Sequence, residues 1–170
     1  MALIIRDAIV DDAPGIAEIQ VSASRAAYGH ILPRDYFKGF TVASRIIVWR
    51  KLIMTTNALE QTIVGEDGGG FRAYAAFGRS RDVAAAEDRG ELLSLYVSPD
   101  SWRSGLGAQM LATSIRRLES MRFNTASLWV LEANQPARDF YERFGWRSDG
   151  SVGEPQEIRY YTSLHRSAGQ

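Results

Sequence analysis

The sequence predicts an α/β protein: a mixed sheet in the α+β sense, with helices on both faces. Three observations predict it. Apolar periodicity alternates between the strand and helix patterns in the order β, two or three helices, three strands, then α, β, α, β, β. A buried-type apolar strand runs almost directly into the strongest helix of the chain, over Glu91–Arg122. No repeat, low-complexity segment or linker interrupts the 170 residues, so one domain spanning 1–170 is expected, long enough to bury a core.

Each element has its own signal. Leu3–Ala8 is a short apolar run and reads as the first strand. Asp11 and Asp12 then offer N-caps, and Pro14 falls in a first turn, where a missing N–H costs nothing. That helix runs to about Gly29. Ala26–Phe40 is rich in aromatics and turn formers, with Asp35 at the start of a short helix. Thr41 caps a clearer helix, in which Val42, Ile46, Trp49 and Ile53 recur at helical spacing. It stops around Thr55–Asn57. Thr62–Val64 and Phe71–Phe77 read as strands joined by Asp67-Gly68-Gly69-Gly70, a hairpin signal.

Arg79–Gly90 is charged and alanine-rich and reads as an exposed, mobile connection or as a helical turn over Val83–Ala86. Glu91–Val97 is the central strand, apolar enough to be buried on both faces. Gly105–Arg122 is the strongest helix: Leu106, Met110, Leu111, Ile115 and Leu118 share one face. Thr125–Leu131 is β-branched and aromatic. Asn134 caps a helix with Ala137, Phe140, Tyr141 and Phe144 on one face, with Arg138–Glu142 and Asp139–Arg143 as i, i+4 pairs; Gly145 ends it. Phe140, Phe144 and Trp146 read as core. Trp146–Ser151 and Glu157–Leu164 close the fold.

Composition removes several function classes. Twenty Lys plus Arg balance twenty Asp plus Glu. A nucleic-acid partner, whose phosphates demand a basic excess, is not expected. With no cysteine, disulfides, thiolate metal sites and cysteine nucleophiles are excluded, and a reducing cytoplasm is the simplest home. No metal is expected. His30 and His165 stand far apart, and no G-x-S-x-G elbow accompanies them. No apolar run reaches the roughly 18–20 residues of a membrane span, and the N-terminus lacks a signal-peptide pattern.

The chemistry concentrates in Leu92–Leu111. After Pro99, the run Trp102-Arg103-Ser104-Gly105-Leu106-Gly107-Ala108 leads into the strong helix. Glycines 105 and 107 let backbone approach a ligand, and the free N–H groups of the helix start favour an anion. Arg103 adds a charge-assisted contact. On the residues alone, a tight structural turn explains the same glycines. A Walker loop and a dinucleotide fingerprint are excluded by the missing G-K and third glycine.

The run Arg103–Ala108, following LLSLYVSPD, resembles the acetyl-CoA-binding motif of the GCN5-related N-acetyltransferase (GNAT) family, Gln/Arg-x-x-Gly-x-Gly/Ala. The block Asn134-x-x-Ala137-x-x-Phe140-Tyr141-x-x-x-Gly145-Trp146 is similar to that family's downstream helix. The two stand in the family's order and separation. One departure is visible: Trp102 occupies the position of the pattern's Gln or Arg. The segment AAYGHILPRDYF resembles a branch of the family that includes polyamine acetyltransferases.

The resemblance implies a single GNAT-like domain with a central, mostly antiparallel sheet and a splayed strand pair. It implies acetyl-CoA as cosubstrate. Leu95, Tyr96 and Val97 would pair with the pantetheine arm, and the Val97 N–H would polarise the thioester carbonyl. Trp102, Arg103, Ser104, Gly105, Leu106, Gly107 and Ala108 would form the pyrophosphate loop, with Asn134, Ala137 and Tyr141 as further cofactor contacts. Tyr141 would also hydrogen-bond the departing sulfur. With no nucleophile of its own suggested, the chain is expected to let an acceptor amine attack directly. Glu91 is the candidate general base, with a solvated acid as the competing reading; Glu66 and Asp67 are weaker candidates. Asn134 has an equally good structural role as N-cap, and Leu95–Val97 as buried strand.

Tyr28, His30, Tyr36, Phe37 and Trp49 would either wall an amine pocket or form a tight patch under the helix pair, the second being preferred. The expected function is acetyl transfer to a primary amine of a small molecule or peptide. A non-catalytic acyl-CoA-binding module is the alternative. A toxin acting on aminoacyl-tRNA is disfavoured by the zero net charge. Homodimerisation stays open.

Overall fold

Seven strands hydrogen-bond in the order β1-β2-β3-β4-β5-β7-β6. In the computed structural model, which describes residues 3–55, 57, 59–154 and 156–164, the strands are β1 (Ile4–Asp7), β2 (Glu60–Asp67), β3 (Gly70–Arg79), β4 (Arg89–Val97), β5 (Thr125–Leu131), β6 (Arg147–Gly153) and β7 (Glu157–Ser163). The helices are α1 (Ala13–Tyr28), α2 (Val42–Met54), α3 (Leu106–Ser120) and α4 (Gln135–Arg143). The order is the one expected, and the mixed, mostly antiparallel sheet is present. β1 pairs antiparallel with β2, and β7 antiparallel with both β5 and β6. β4 and β5 are parallel, in register at Arg89–Thr125, Gly90–Ala126 and Glu91–Ser127.

The chain divides into two compact units, Met1–Ala76 with Ser94–Thr113, and Phe77–Leu93 with Ser114–Gln170. In the first, α1 begins where expected, but not by the expected cap. Asp12 makes no side-chain cap bond to the helix. Its carboxylate instead accepts the Ile9 N–H at 2.8 Å and a fork from Arg6 at 2.7 and 3.0 Å. Arg6 also binds Glu66 at 2.8 and 3.2 Å. One guanidinium thus ties β1, β2 and the start of α1. Thr41 does cap α2, accepting the Ser44 N–H at 3.2 Å. The hairpin turn forms at 67–70, where Asp67 accepts the Gly69 N–H at 2.8 Å.

Helices cover both faces of the sheet in this unit. Tyr74 of β3 meets Trp49 of α2 edge-on, with ring centroids 4.9 Å apart. On the opposite face, a Cβ placed at Gly65 would stand 3.2 Å from the Met110 sulfur of α3. The core here is Ile16, Ala17, Ile63, Val64, Tyr74 and Met110, all fully buried.

In the second unit Leu118, Ala126, Leu128, Trp146 and Tyr160 are buried. A Cβ at Gly90 would come within 2.8 Å of Leu118 and 3.0 Å of Phe123. Glycine there lets β4 lie close under α3. The stretch read as a mobile connection is tied down. Asp82 accepts the Trp129 indole N–H at 3.0 Å and an Arg159 N–H at 2.9 Å, and Arg159 also binds Asp149 at 2.7 Å. Val83 is nevertheless wholly exposed.

Two expectations about α4 need correction. Phe144 is 43% exposed, because it sits at the C-cap, past the last helical turn, where the i+7 face no longer holds. Phe140 is half-buried, and only Trp146 is core. The Arg138–Glu142 pair is replaced by a relay. Arg138 Nε donates to the Tyr160 hydroxyl at 3.2 Å, and that hydroxyl donates to Glu142 at 2.6 Å. Asp139 accepts from the Gln135 amide at 2.6 Å.

Candidate active site

The first unit carries the strand end and the glycine loop. Burial on both faces of β4 holds for Gly90–Leu92 only. Leu95, Tyr96 and Val97 are half-buried. The Tyr96 ring stacks on Tyr74 at 5.5 Å and 20°. Beyond Val97 the chain is fixed by short bonds: Ser98 N–H to the Arg72 carbonyl at 2.8 Å, and Ser101 N–H to the Ser98 carbonyl at 2.8 Å.

Trp102 then runs extended, and its indole N–H donates to the Val97 carbonyl at 2.8 Å. Arg103 and Gly105 both take left-handed backbone, with φ 60 and φ 83. Glycine adopts that conformation freely; for Arg103 it costs about 1–2 kcal/mol. Such strain persists only where surrounding bonds hold it. Here Ser104 Oγ bonds the Ser101 carbonyl at 2.7 Å across the loop.

Gln109 donates the first intrahelical bond of α3, to the Gly105 carbonyl at 3.2 Å. The N–H groups of Leu106, Gly107 and Ala108 therefore precede the helical ladder and remain available. The helix behind them has 15 residues, long enough for its positive end to favour an anion. Leu106, Met110 and Leu111 are buried and hold that end rigid. Arg103 is exposed and has no ion pair among the described residues.

The second unit carries Glu91 and α4. Glu91 is only 7% exposed. Its carboxylate accepts the Arg81 main-chain N–H at 2.8 Å and the Ser80 hydroxyl at 3.2 Å. Burial, with the Asp82 charge nearby, holds its pKa above the usual carboxylate range in spite of those bonds. Glu157, half-buried on β7, is raised as well, first by burial and then by the charge of Glu91. Glu91 is therefore a desolvated acid rather than a solvated one.

Of the weaker base candidates, Glu66 is held by Arg6, and Asp67 by Arg72 at 3.0 Å. The Arg72 bond keeps Asp67 below its ordinary value. Neither suits a base.

Asn134 is 7% exposed and accepts the Ala137 N–H at 3.3 Å, so its N-cap role is observed. Ala137 is half-buried at the start of α4. Tyr141 is half-buried, its ring edge-on to Phe140 at 5.2 Å and to Trp146 at 6.0 Å.

The aromatic patch expected under the helix pair is not tight. His30 is exposed and Tyr36 is 52% exposed. Trp49 is buried, its indole donating to Gln20 at 2.8 Å, an oxygen that Arg45 Nε shares at 2.8 Å. His165 lies outside the described residues. The Trp102–Val97 bond, the Tyr74–Tyr96 stack and the proximity of Glu157 to Glu91 carry no local sequence signal. Among the described residues no three metal-ligand side chains cluster, and no helix is long and apolar enough to cross a membrane.

Comparison with known proteins shows the family and the fold. The model of the acetyltransferase (GNAT) family matches residues 25–146. An uncharacterized N-acetyltransferase of Bacillus subtilis, YuaI, is 28% identical over 141 residues, covering 82% of this chain and 78% of that protein. A probable N-acetyltransferase of Mycobacterium tuberculosis, Rv2775, is 36% identical over 87 residues, covering 51% and 47%. Among solved structures, PaiA N-acetyltransferase from Thermoplasma acidophilum, crystallised in complex with coenzyme A, superposes with a TM-score of 0.77 at 13% identity, covering 96% of this chain and 99% of that one. YncA of Salmonella typhimurium, a putative acetyltransferase solved with acetyl-CoA, gives 0.73 at 19% identity, with 100% and 98% covered. With its family model matched over most of its length and its fold shared end to end, the chain belongs to the acetyltransferase (GNAT) family.

Proposed function

We propose that this chain is an N-acetyltransferase that moves the acetyl group of acetyl-CoA to a primary amine of a small molecule or peptide, by direct attack within a ternary complex. The observation that carries the reading is the loop at 102–108. Two left-handed residues there precede three helix-start N–H groups, directly after the half-buried end of β4. The named relatives and the coenzyme complexes of the structural neighbours support the same reading.

Leu106, Gly107 and Ala108 would hold the pyrophosphate through backbone N–H groups, with Arg103 adding charge. Trp102, Ser104 and Gly105 shape the loop. Leu95, Tyr96 and Val97 present backbone to the pantetheine, and the Val97 N–H stabilises the oxyanion. We assign Asn134, Ala137 and Tyr141 to the same cosubstrate on the motif they carry. An alkylammonium has a pKa of about 10 and must lose a proton before it attacks. Glu91, whose raised pKa brings it closer to neutrality, accepts that proton, directly or through water. The C–N bond forms, the nitrogen releases its second proton to water as the C–S bond breaks, and the leaving thiolate is stabilised by the Tyr141 hydroxyl. Full transfer from a phenol near 10 to a thiolate near 8.5 is uphill by about 2 kcal/mol, so a hydrogen bond suffices. The cysteine-free sequence fits a reducing cytoplasm.

Calorimetric titration with acetyl-CoA, followed by thiol release across polyamines, amino acids, aminoglycosides and peptides, tests this. Binding together with amine-stimulated release is expected. Binding that no amine converts into release would leave a non-catalytic acyl-CoA module.

A further inference from the structure

The pattern that Trp102 departs from has a Gln or Arg at its position, and neither a charge nor an amide is available here. What Trp102 does instead is visible. Its indole N–H donates to the Val97 carbonyl at 2.8 Å, across five residues of chain. The residue remains 46% exposed, so core packing does not explain it.

The bond joins two parts that the ligand would need at a fixed separation. Val97 is the last residue of β4. Trp102 is the residue before the left-handed Arg103, where the loop turns toward α3. The intervening turn is tied to β3 by Ser98 and to the loop by Ser104. The indole closes this circuit on the Val97–Ser98 peptide, whose N–H, that of Ser98, is held by the Arg72 carbonyl at 2.8 Å. With both polar ends of that peptide held, the backbone after Val97 is fixed, and with it the anchor for the preceding peptide that carries the Val97 N–H. Resting on the function proposed above, we infer that Trp102 is a positioning residue: its indole N–H locks the strand end that receives the thioester to the loop that receives the pyrophosphate.

The two ends of the cosubstrate distinguish this role from a direct contact. Trp102→Phe keeps the ring and removes the donor, and Trp102→Leu removes the donor with a different shape. Acetyl-CoA spans both parts, while 3′-phosphorylated ADP carries the pyrophosphate and no pantetheine. Both variants should bind acetyl-CoA about three- to tenfold more weakly, the size of one lost hydrogen bond. They should lose kcat to a similar degree and bind 3′-phosphorylated ADP within about twofold of the unsubstituted protein. Equal loss toward both ligands would mean that Trp102 contacts the nucleotide itself, and no loss toward either would mean that the bond is idle; each result overturns the inference. The unsubstituted protein supplies the control: if it fails to bind or turn over acetyl-CoA, the function is at fault and not the role of Trp102.

Discussion

The Glu91 carboxylate accepts the Arg81 main-chain N–H at 2.8 Å from a position 93% withdrawn from solvent. That bond orients one oxygen toward the turn after β3. Burial outweighs it, so the group stays above its ordinary pKa. A carboxylate in that condition accepts a proton more readily than a solvated one. Glu91→Gln should lower kcat/KM about a hundredfold or more with an alkylamine acceptor, the usual range for a lost general base. The acid limb of the pH–rate profile that belongs to Glu91 should vanish with it. A variant with wild-type turnover would remove Glu91 from the chemistry.

The same shift has a stability consequence of definite sign. A carboxyl whose folded pKa is raised stabilises the fold fully below its unfolded value, and that contribution is lost as pH rises through the folded pKa. Glu91→Gln should therefore melt higher relative to the parent at pH 7 than at pH 4. Thermal denaturation at the two pH values checks it. A gap that shrinks with rising pH would contradict the assignment of burial as the dominant cause.

Asp12 should behave in the opposite way. Burial raises its pKa, but the Arg6 fork and the Ile9 N–H more than offset that, so the carboxyl sits below the ordinary range. Its contribution is present above the unfolded value of about 3.9 and is lost as pH falls through the lowered folded pKa. Asp12→Asn should reduce the melting temperature by a few degrees at pH 7 and by less at pH 3. An equal loss at both would mean that shape, not charge, is what Asp12 supplies.

Gly107→Glu sets a carboxylate and added bulk at the second N–H of α3. Acetyl-CoA affinity should fall by about a hundredfold or more, since the dipole and the free N–H groups would be engaged by the new charge. Unchanged affinity would sink the loop assignment.

Tyr141→Phe removes one hydroxyl from a half-buried ring. It should lower kcat about tenfold or more while leaving KM for acetyl-CoA within about twofold, the signature of an interaction made in the transition state. A rise in KM alone would make Tyr141 a binding residue.

Much of this was legible in the sequence, for reasons that individual residues make plain. Thr41 and Asn134 cap the helices assigned to them because a cap depends on neighbours three residues away. Asp12 looked like the same kind of cap, but its partner Arg6 is itself engaged by Glu66, 60 positions along the chain, and no local pattern announces that. Phe144 matched the helical period of α4 and still came out exposed, because the helix ends before it. Arg79–Gly90 looked loose by composition, yet Asp82 is held by Trp129 and Arg159 from two distant strands. The glycine loop was readable because its needs are backbone needs. The Trp102–Val97 bond was not, because an indole donor can find its acceptor anywhere within reach.

The most direct measurement follows both products together: free coenzyme A thiol and acetylated amine, quantified from the same reaction of purified protein, acetyl-CoA and a panel of primary amines. The account expects at least one amine to give the two in equal amounts, with Glu91→Gln and Gly107→Glu both slowing the formation of the two together. Thiol release without N-acetyl product, or no release with any amine despite saturating acetyl-CoA, would contradict it.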